Sequence, residues 1–297
     1  MTWQRIVGQP VRQWWTSQED AAARLTLLRL TTGLAMLRAT WHLPPASVFD
    51  GEGPMLDAAE GRRQRRRLPR RQYEVMRWAS MLSVAAWTFG CEHPLVKICA
   101  NLSSCAVHGQ SVRLHERSWN YASHLHIFLL ALSAVRAPSA RVQSALVAGL
   151  QSYYTSIYFQ AGLSKLVTAG PRWADGTTLR GSWAEYGTPL GRRLSTSDLR
   201  VAAVASGTTL LFELGLLPLL FLGGRRGWKM LGLSSLAFHA AVKSTMGISF
   251  WHLAWYAYPL FLADPKASPF LSRLLTVADH PAEAVQRVGE TNAQPAQ

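Results

Sequence analysis

Four polar or charged side chains lie at helical spacing within one otherwise apolar stretch of the chain. They are Gln151, Tyr154, Tyr158 and Lys165, separated by 3, 4 and 7 residues. This spacing places them on one face of a helix. Burial favours the neutral form of an amine, so a sheltered Lys165 on an aromatic face is a candidate base. A lipophilic acid such as a hydroquinone would suit it as substrate. The pattern does not exclude a proton relay or a transport site.

Several other ionisable residues lie within apolar stretches. Each could have a structural role instead of a functional one. His124 and His126 are two residues apart and therefore point to different helix faces. Glu213 could orient the base or could serve only as the structural partner of a lysine or arginine. Lys165 could reach the lipid headgroups, and His239 could make an interhelical hydrogen bond.

The stretches around these residues are long enough to cross a bilayer as helices. Residues 142–164 and 118–135 contain no Asp, Glu, Lys or Arg, nor do residues 244–263, and Glu213 is the only charge in residues 201–224. About 20 mostly apolar residues span a membrane as a helix. We therefore predict an all-α, polytopic membrane protein with seven to eight spans. The segments are 25–43, 73–89, 94–112, 119–135, 142–166, 201–222, 230–246 and 248–262.

The predicted organisation is one transmembrane domain with two short flanks. Residues 1–23 suggest an amphipathic interfacial segment, residues 24–265 the transmembrane domain, and residues 266–297 a flexible tail. The turn before Pro94 is short enough to make the second and third spans a helical hairpin. We expect a multi-pass protein of the bacterial plasma membrane, in contact with the lipid bilayer.

Composition excludes several classes of protein. The chain is 48% hydrophobic and 16% charged, which excludes disorder, and its three cysteines match no disulfide, zinc or redox pattern. It has 31 Lys+Arg against 17 Asp+Glu, a formal charge of +14. Seven arginines fall in residues 62–71. Between two spans, such a run contacts anionic lipid or sets orientation, and we expect no nucleic-acid partner.

Several motifs resemble the HTTM domain, the membrane domain of the vitamin K-dependent gamma-carboxylases. The most specific are residues 158–166 (YFQAGLSKL) and residues 173–179 (WADGTTL). Residues 123–128 (SHLHIF), 212–215 (FELG) and 238–250 also resemble family segments. Two positions depart from the family pattern, because Ser123 replaces an asparagine and His126 replaces a tyrosine.

The resemblance implies a reaction and a set of residues. Lys165 would deprotonate a reduced quinone of the vitamin K or menaquinol type. Oxygen would then generate a strong base that removes a proton from a glutamate side chain, and the carbanion would capture carbon dioxide. His124 would serve the carboxylation step, and Glu213 could orient Lys165. The further supporting candidates are Tyr158, Tyr154, His126, Trp173, Asp175 and His239.

Three hypotheses for the function remain. The animal carboxylases have a large substrate-binding domain after the membrane region, whereas this chain ends 35 residues after Leu262. We therefore expect a small substrate, or a peptide presented by a partner subunit. The alternative is a non-enzymatic membrane component for maturation of, or immunity to, an exported peptide. A proton-coupled transporter is disfavoured, because the two halves of the chain show no repeat.

Overall fold

The computed structural model describes residues 14–16, 18, 20–49, 68–114, 123–135 and 139–264. These residues form helices and short connections without any strand, which confirms the all-α fold class. Most of the predicted interfacial segment, the arginines at 62–67 and the predicted tail lie outside the described residues.

One compact unit comprises Thr26–Arg136 together with Pro265–Gln297. It contains most of α1 (Ala21–Trp41), a 3-10 turn (Ala46–Phe49), α2 (Arg70–Thr88), α3 (Pro94–Leu114) and α4 (Ser123–Ala134). Helices α2 and α3 form the predicted hairpin, joined by a turn in which Gly90 has φ of 100°. The Ser80 and Ser104 hydroxyls lie 2.7 Å apart across it.

The other compact unit comprises Met1–Leu25 and Ala137–Asp264. Its helices are α5 (Ala140–Ala169), α6 (Thr177–Tyr186), α7 (Pro189–Ser195), α8 (Leu199–Leu222), α9 (Gly224–Met246) and α10 (Trp251–Ala257). A 3-10 turn (Gly170–Asp175) follows α5, and a π-helical turn (Tyr258–Leu262) follows α10. Helix α8 packs against both α5 and α9. Ser139 caps α5 and Asp198 caps α8 through their side-chain oxygens.

The Arg24 side chain joins the first segment of this unit to its last helical turn. The Arg24 guanidinium donates to the carbonyls of Pro259, Leu260 and Ala263 at 3.3, 2.8 and 3.1 Å. These carbonyls belong to the π-helical turn and to the residue after it, where a helix leaves acceptors without partners. Arg24 therefore caps the last helical segment described in the chain.

Each of the eight predicted segments contains a helix, although the last contains only the seven-residue α10 and the π-helical turn. Length and apolarity single out only one of the described helices as a candidate span. Among the described residues, α8 is the one helix long and apolar enough to cross a membrane, and α4 is a shorter apolar helix. Helix α9 begins at Gly224, six residues before the predicted start at residue 230. Polar side chains in several of the other helices reduce their mean hydropathy.

Helices α6 and α7 are not predicted by the sequence, which has no apolar run between residues 166 and 201. Tertiary hydrogen bonds stabilise them. The Thr188 hydroxyl donates to the Ser244 carbonyl at 2.6 Å, at the end of α9, and Arg180 Nε donates to the Ser195 carbonyl at 2.7 Å. Their helicity therefore depends on partners that are distant in sequence.

Many polar side chains are buried beside the apolar core, and many large apolar side chains are exposed. Serine, threonine, glutamine and histidine side chains are buried between the helices, while leucines and valines are exposed along their outer faces. The buried polar residues include Ser80, Ser104, Gln151, Thr155, Ser206, Ser235 and His252, and the exposed apolar residues include Leu82, Leu102, Val204, Leu211 and Leu236.

Gly176 allows the start of α6 to approach α8. Its φ is +87°, and a Cβ placed there would lie 2.3 Å from the backbone nitrogen of Ala203. Backbone atoms cannot move aside as a flexible side chain can. No other residue type fits this position without displacing a helix.

We expect Gly176→Ala to lower the free energy of unfolding by at least about 2 kcal/mol, because it adds left-handed backbone strain to a clash. The control is Gly181→Ala within α6, where a Cβ meets nothing within 4 Å. That change should be neutral or stabilising by up to about 1 kcal/mol. Thermal unfolding of the purified variants in detergent measures both, and equal melting temperatures would contradict the close approach.

Candidate functional site

Lys165 and Glu213 form an ion pair between α5 and α8. Lys165 Nζ lies 2.6 Å from each carboxylate oxygen of Glu213. The Glu213 side chain is 5% exposed and that of Lys165 is 26% exposed. The lysine thus points at a carboxylate. The neutral amine predicted from the sequence would form if the proton moved from Lys165 to Glu213.

Gly162 allows the two helices to come close enough for this contact. It lies one turn before Lys165 on α5. A Cβ at Gly162 would be 2.9 Å from the Glu213 Cβ and 3.0 Å from the Leu214 Cγ. Any larger residue would push Glu213 away from α5. The glycine within the YFQAGLSKL motif therefore has a packing role beside the lysine.

Trp173 provides an aromatic face for the lysine. It lies in the 3-10 turn after α5, and Lys165 Nζ is 5.2 Å from the centre of its ring. An ammonium at this distance is attracted by the ring's π electrons. A supporting role of Trp173 in catalysis stays a prediction.

Asp175 has a local structural role in the same turn. Its carboxylate accepts a hydrogen bond from the Thr177 backbone N–H at 2.8 Å, at the start of α6. The hydrogen bonds from Thr177 hold the pKa of Asp175 below its ordinary value. The carboxylate is therefore ionised at neutral pH and serves the helix start.

Tyr154 and Tyr158 join His239 in a buried hydroxyl network. The Tyr158 hydroxyl donates to the Tyr154 hydroxyl at 3.0 Å and lies 2.6 Å from His239 Nε2. Ser235 lies 2.5 Å from the Tyr154 hydroxyl and 3.0 Å from that of Tyr158. His239 Nδ1 is buried and has no partner among the described residues. The network thus leaves one ring nitrogen available for a ligand or a water molecule.

Phenylalanine rings surround this network. Phe212 and Phe238 stack with ring centres 4.6 Å apart, and the Tyr158 ring meets Phe212 edge to face at 5.4 Å. The Phe250 ring lies 5.9 Å from His239. Phe212 is the neighbour of Glu213 in the chain. One of these rings, that of Phe212, therefore lies on α8, the helix that carries Glu213 of the ion pair.

Gln151, the first residue of the predicted stripe, is an anchor within the same unit. Its Oε1 accepts from Trp14 Nε1 at 3.0 Å and from Gln18 Nε2 at 2.8 Å, and its Nε2 donates to the Leu260 carbonyl at 2.7 Å. All of its bonds hold chain segments together. Gln151 therefore serves packing, one turn before Tyr154 of the tyrosine network.

His124 and His126 lie on α4, in the other compact unit. His126 Nδ1 is 3.7 Å from Cys105 Sγ, and its ring is 5.0 Å from that of His108. His108 Nε2 is in turn 3.1 Å from the Thr40 hydroxyl. No group of three metal-ligating residues occurs in the described parts of the chain. Joint action of His124 with Lys165 stays a prediction.

Sequence reasoning did not identify Ser235 or the phenylalanines as members of the site. Ser235 lies four residues before His239 on α9, so the two share a helix face, and this spacing is a signal that the sequence contains. The stacking of Phe212 on Phe238 has no such signal, because it depends on how α8 and α9 pack.

The comparisons with known proteins add no relative to this description. No protein family, curated protein or solved structure matches the chain.

We expect Glu213→Leu to be destabilising, because it leaves the Lys165 ammonium without its carboxylate. The cost should be about 1–3 kcal/mol, below that of a fully buried pair because Lys165 is partly exposed. The double variant Lys165→Met with Glu213→Leu should recover much of this loss, since two apolar side chains can pack together. Thermal unfolding gives the coupling energy, and purely additive effects would show that the two residues do not interact.

Proposed function

We propose that this chain is a multi-pass membrane enzyme in which the Lys165–Glu213 pair accepts a proton from a lipophilic acid, a reduced quinone. The observation that carries the proposal is the ion pair itself, with Lys165 Nζ 2.6 Å from both Glu213 oxygens beside the Trp173 ring. Ionisable residues that are costly to bury and that face an aromatic surface are candidates for function.

The multi-pass arrangement is supported by the apolar side chains on the surface. Leucine and valine side chains remain exposed along α2, α3, α8 and α9, while several buried hydroxyl and amide groups bond between helices. In water this pattern leaves large apolar areas exposed. In lipid it is favourable, because interhelical hydrogen bonds replace those that water would make. Helix α8 by itself is long and apolar enough to span.

The proton balance of the pair explains how it acts as a base. As an ammonium and a carboxylate, Lys165 and Glu213 have no net charge. A proton transferred within the pair gives a neutral amine beside a carboxylic acid, and low polarity favours such neutral states. When the amine accepts a proton from a substrate, the pair becomes +1. This charge balances the negative charge left on the substrate, so the site as a whole stays neutral.

The surroundings of the pair fit an aromatic, oxygen-bearing substrate. A reduced quinone would supply an acidic phenolic O–H, and its oxidation by oxygen would drive the reaction. The rings of Trp173 and Phe212 offer faces on which a flat molecule can stack. His239 Nδ1 is an unpaired acceptor, available to a quinol hydroxyl that reaches it. The chain's own residues therefore provide stacking, one hydrogen-bonding atom and a proton acceptor.

The resemblance of residues 158–166 to the HTTM motif supports a more specific proposal. The reaction would be a carboxylation of a small or peptide substrate, with oxygen and carbon dioxide as co-substrates and His124 active in the second step. A partner subunit would present a peptide substrate.

A second candidate function is favoured by the completeness of the same ion pair. Both Glu213 oxygens are engaged by Lys165, and Gly162 sets the helices at the spacing that this requires. In a non-enzymatic membrane component, the pair would simply hold α5 to α8. Substitutions that keep the pairing but remove the base distinguish the two functions.

We expect Lys165→Arg to abolish proton acceptance while the ion pair remains. Arginine makes the same bidentate contact but is not deprotonated in proteins. Purified protein supplied with reduced vitamin K or menaquinol and oxygen should form the quinone epoxide. The variant should form it about 10²–10⁴-fold more slowly, the range for loss of a general base.

Thermal unfolding controls this experiment, because Lys165→Arg should melt near the wild-type temperature whereas Lys165→Met should not. Epoxide formation by Lys165→Arg at the wild-type rate would exclude Lys165 as the base. If the wild-type protein forms no epoxide from any tested quinol, the non-enzymatic function is favoured.

A matched pair of leucines on α3 tests the multi-pass arrangement. Leu102 and Leu95 are both 68% exposed, but Leu102 lies near the middle of the helix and Leu95 at its start. Leu102→Arg should reduce the yield of folded, membrane-inserted protein, because arginine costs about 2.5–3.5 kcal/mol at the centre of a span. Leu95→Arg should be tolerated, since its side chain reaches the interface. Equal effects would indicate that this face meets water.

A further inference from the structure

The hydroxyl protons of the buried network determine which nitrogen of His239 carries a proton. The Tyr158 hydroxyl donates to the Tyr154 hydroxyl at 3.0 Å, and a phenolic hydroxyl has a single proton to donate. The contact of 2.6 Å between the Tyr158 hydroxyl and His239 Nε2 is therefore a hydrogen bond that Nε2–H donates. A neutral imidazole carries one N–H, so Nδ1 is left as an acceptor.

The other hydroxyls of the network hold this arrangement in place. Tyr154 accepts from Tyr158, so its own proton goes to Ser235, 2.5 Å away, and Ser235 donates to Tyr158 at 3.0 Å. The three hydroxyls thus form a closed ring in which each of them donates once. A proton on His239 Nδ1 would require Tyr158 to donate to Nε2 instead, and the ring would lose one hydrogen bond.

His239 Nδ1 is a buried acceptor. The residue is 6% exposed, and Nδ1 has no hydrogen-bond partner among the described residues. The rings of Tyr158, Phe238 and Phe250 lie 5.8, 5.5 and 5.9 Å from the imidazole, measured between ring centres. Burial among such rings keeps the imidazole neutral, because they offer no negative charge to balance an imidazolium. A ligand that bonds to Nδ1 therefore has to bring its own proton, on an O–H or an N–H.

The ring of Phe250 reaches the imidazole from a connection between two helices. Residues 247–250 join α9 to α10 and are not helical. The connection begins at Gly247, which ends α9 with a φ of 70°. The Phe250 ring can therefore turn away from His239 without the unwinding of a helix. The stacked rings of Phe212 and Phe238 then offer apolar faces to a flat aromatic ligand.

We propose that His239 makes the site selective for the reduced form of its substrate. A quinol has hydroxyl groups, and one of them donates to Nδ1. A quinone has carbonyl oxygens instead, which would face the lone pair of Nδ1 with no proton between them. The quinone epoxide also lacks a hydroxyl group, so the product binds less tightly than the quinol. This selectivity rests on the quinol chemistry proposed for Lys165 and names the oxidation state that the site binds.

Binding without turnover tests the selectivity. The ligands are dimethylnaphthoquinone, its hydroquinone, and the dimethyl ether of that hydroquinone, which keeps the ring system but has no O–H. Isothermal titration calorimetry of the purified full chain in detergent, in the absence of oxygen, gives the three dissociation constants. The wild type should bind the hydroquinone at least about tenfold more tightly than the quinone or the ether, because these two leave a buried acceptor unpaired.

Two variants separate the acceptor from its tautomer. His239→Phe removes Nδ1 and keeps a ring, so it should bind the hydroquinone more weakly, within about twofold of the quinone. Tyr158→Phe keeps Nδ1 but removes the hydroxyl that holds the proton on Nε2, so it should bind the quinone more tightly than the wild type does. The control His108→Phe replaces a buried histidine of the other compact unit and should keep the wild-type ratio. Thermal unfolding verifies that each variant is folded.

The tautomer has a spectroscopic signature that a packing role would not produce. Nitrogen NMR of protein labelled with ¹⁵N-histidine distinguishes protonated from unprotonated ring nitrogens. The signals that disappear in His239→Phe should belong to a ring with a protonated Nε2 and an unprotonated Nδ1.

Three results would overturn the selectivity and leave the proposed function intact. They are equal binding of hydroquinone and quinone by the wild type, an unchanged preference in His239→Phe, and a protonated Nδ1 in the NMR spectrum. Binding of neither form by the wild type would overturn both proposals. A preference for the hydroquinone in a protein that forms no epoxide would support the selectivity and contradict the catalysis.

Discussion

An ionised side chain that is sheltered from water needs an opposite charge, and the Lys165–Glu213 pair meets this requirement between α5 and α8. The pair fixes the relative position of the two helices, and Gly162 allows them to approach. The Trp173 ring, on the turn that follows α5, covers the ammonium. The most costly residues of this unit are thus also the ones that define its packing.

The same requirement applies to the uncharged polar groups. Tyr154, Tyr158, Ser235 and His239 share hydrogen bonds, so that four polar side chains are accommodated by one network. Such a network is favourable only when its members are satisfied together. His239 Nδ1 is the exception among them, and an unsatisfied buried atom costs about 1–3 kcal/mol. A ligand that bonds to it would remove this cost.

Sequence patterns predict the long helices well because a run of about 20 apolar residues has few alternatives to a helix. Helices α6 and α7 could not be predicted in this way, since contacts such as that of Thr188 with Ser244 stabilise them from outside. At the site, helical spacing correctly aligns Tyr154, Tyr158 and Lys165. The sequence names Glu213 as a possible partner of Lys165, but the contact itself and the place of Ser235 depend on interhelical packing, which a single sequence does not encode locally.

The unit formed by Met1–Leu25 and Ala137–Asp264 is discontinuous in sequence. Hydrogen bonds from Arg24 to the π-helical turn and the residue after it join its two segments. Its first segment is synthesised before residues 26–136, and its last segment, with the carbonyls that Arg24 caps, is synthesised after them. The order of synthesis therefore separates two groups that are neighbours in the finished protein. During biosynthesis, Arg24 has to be accommodated by other partners until the end of the unit emerges. Residues 26–136 are in this sense an insertion between the two segments of that unit.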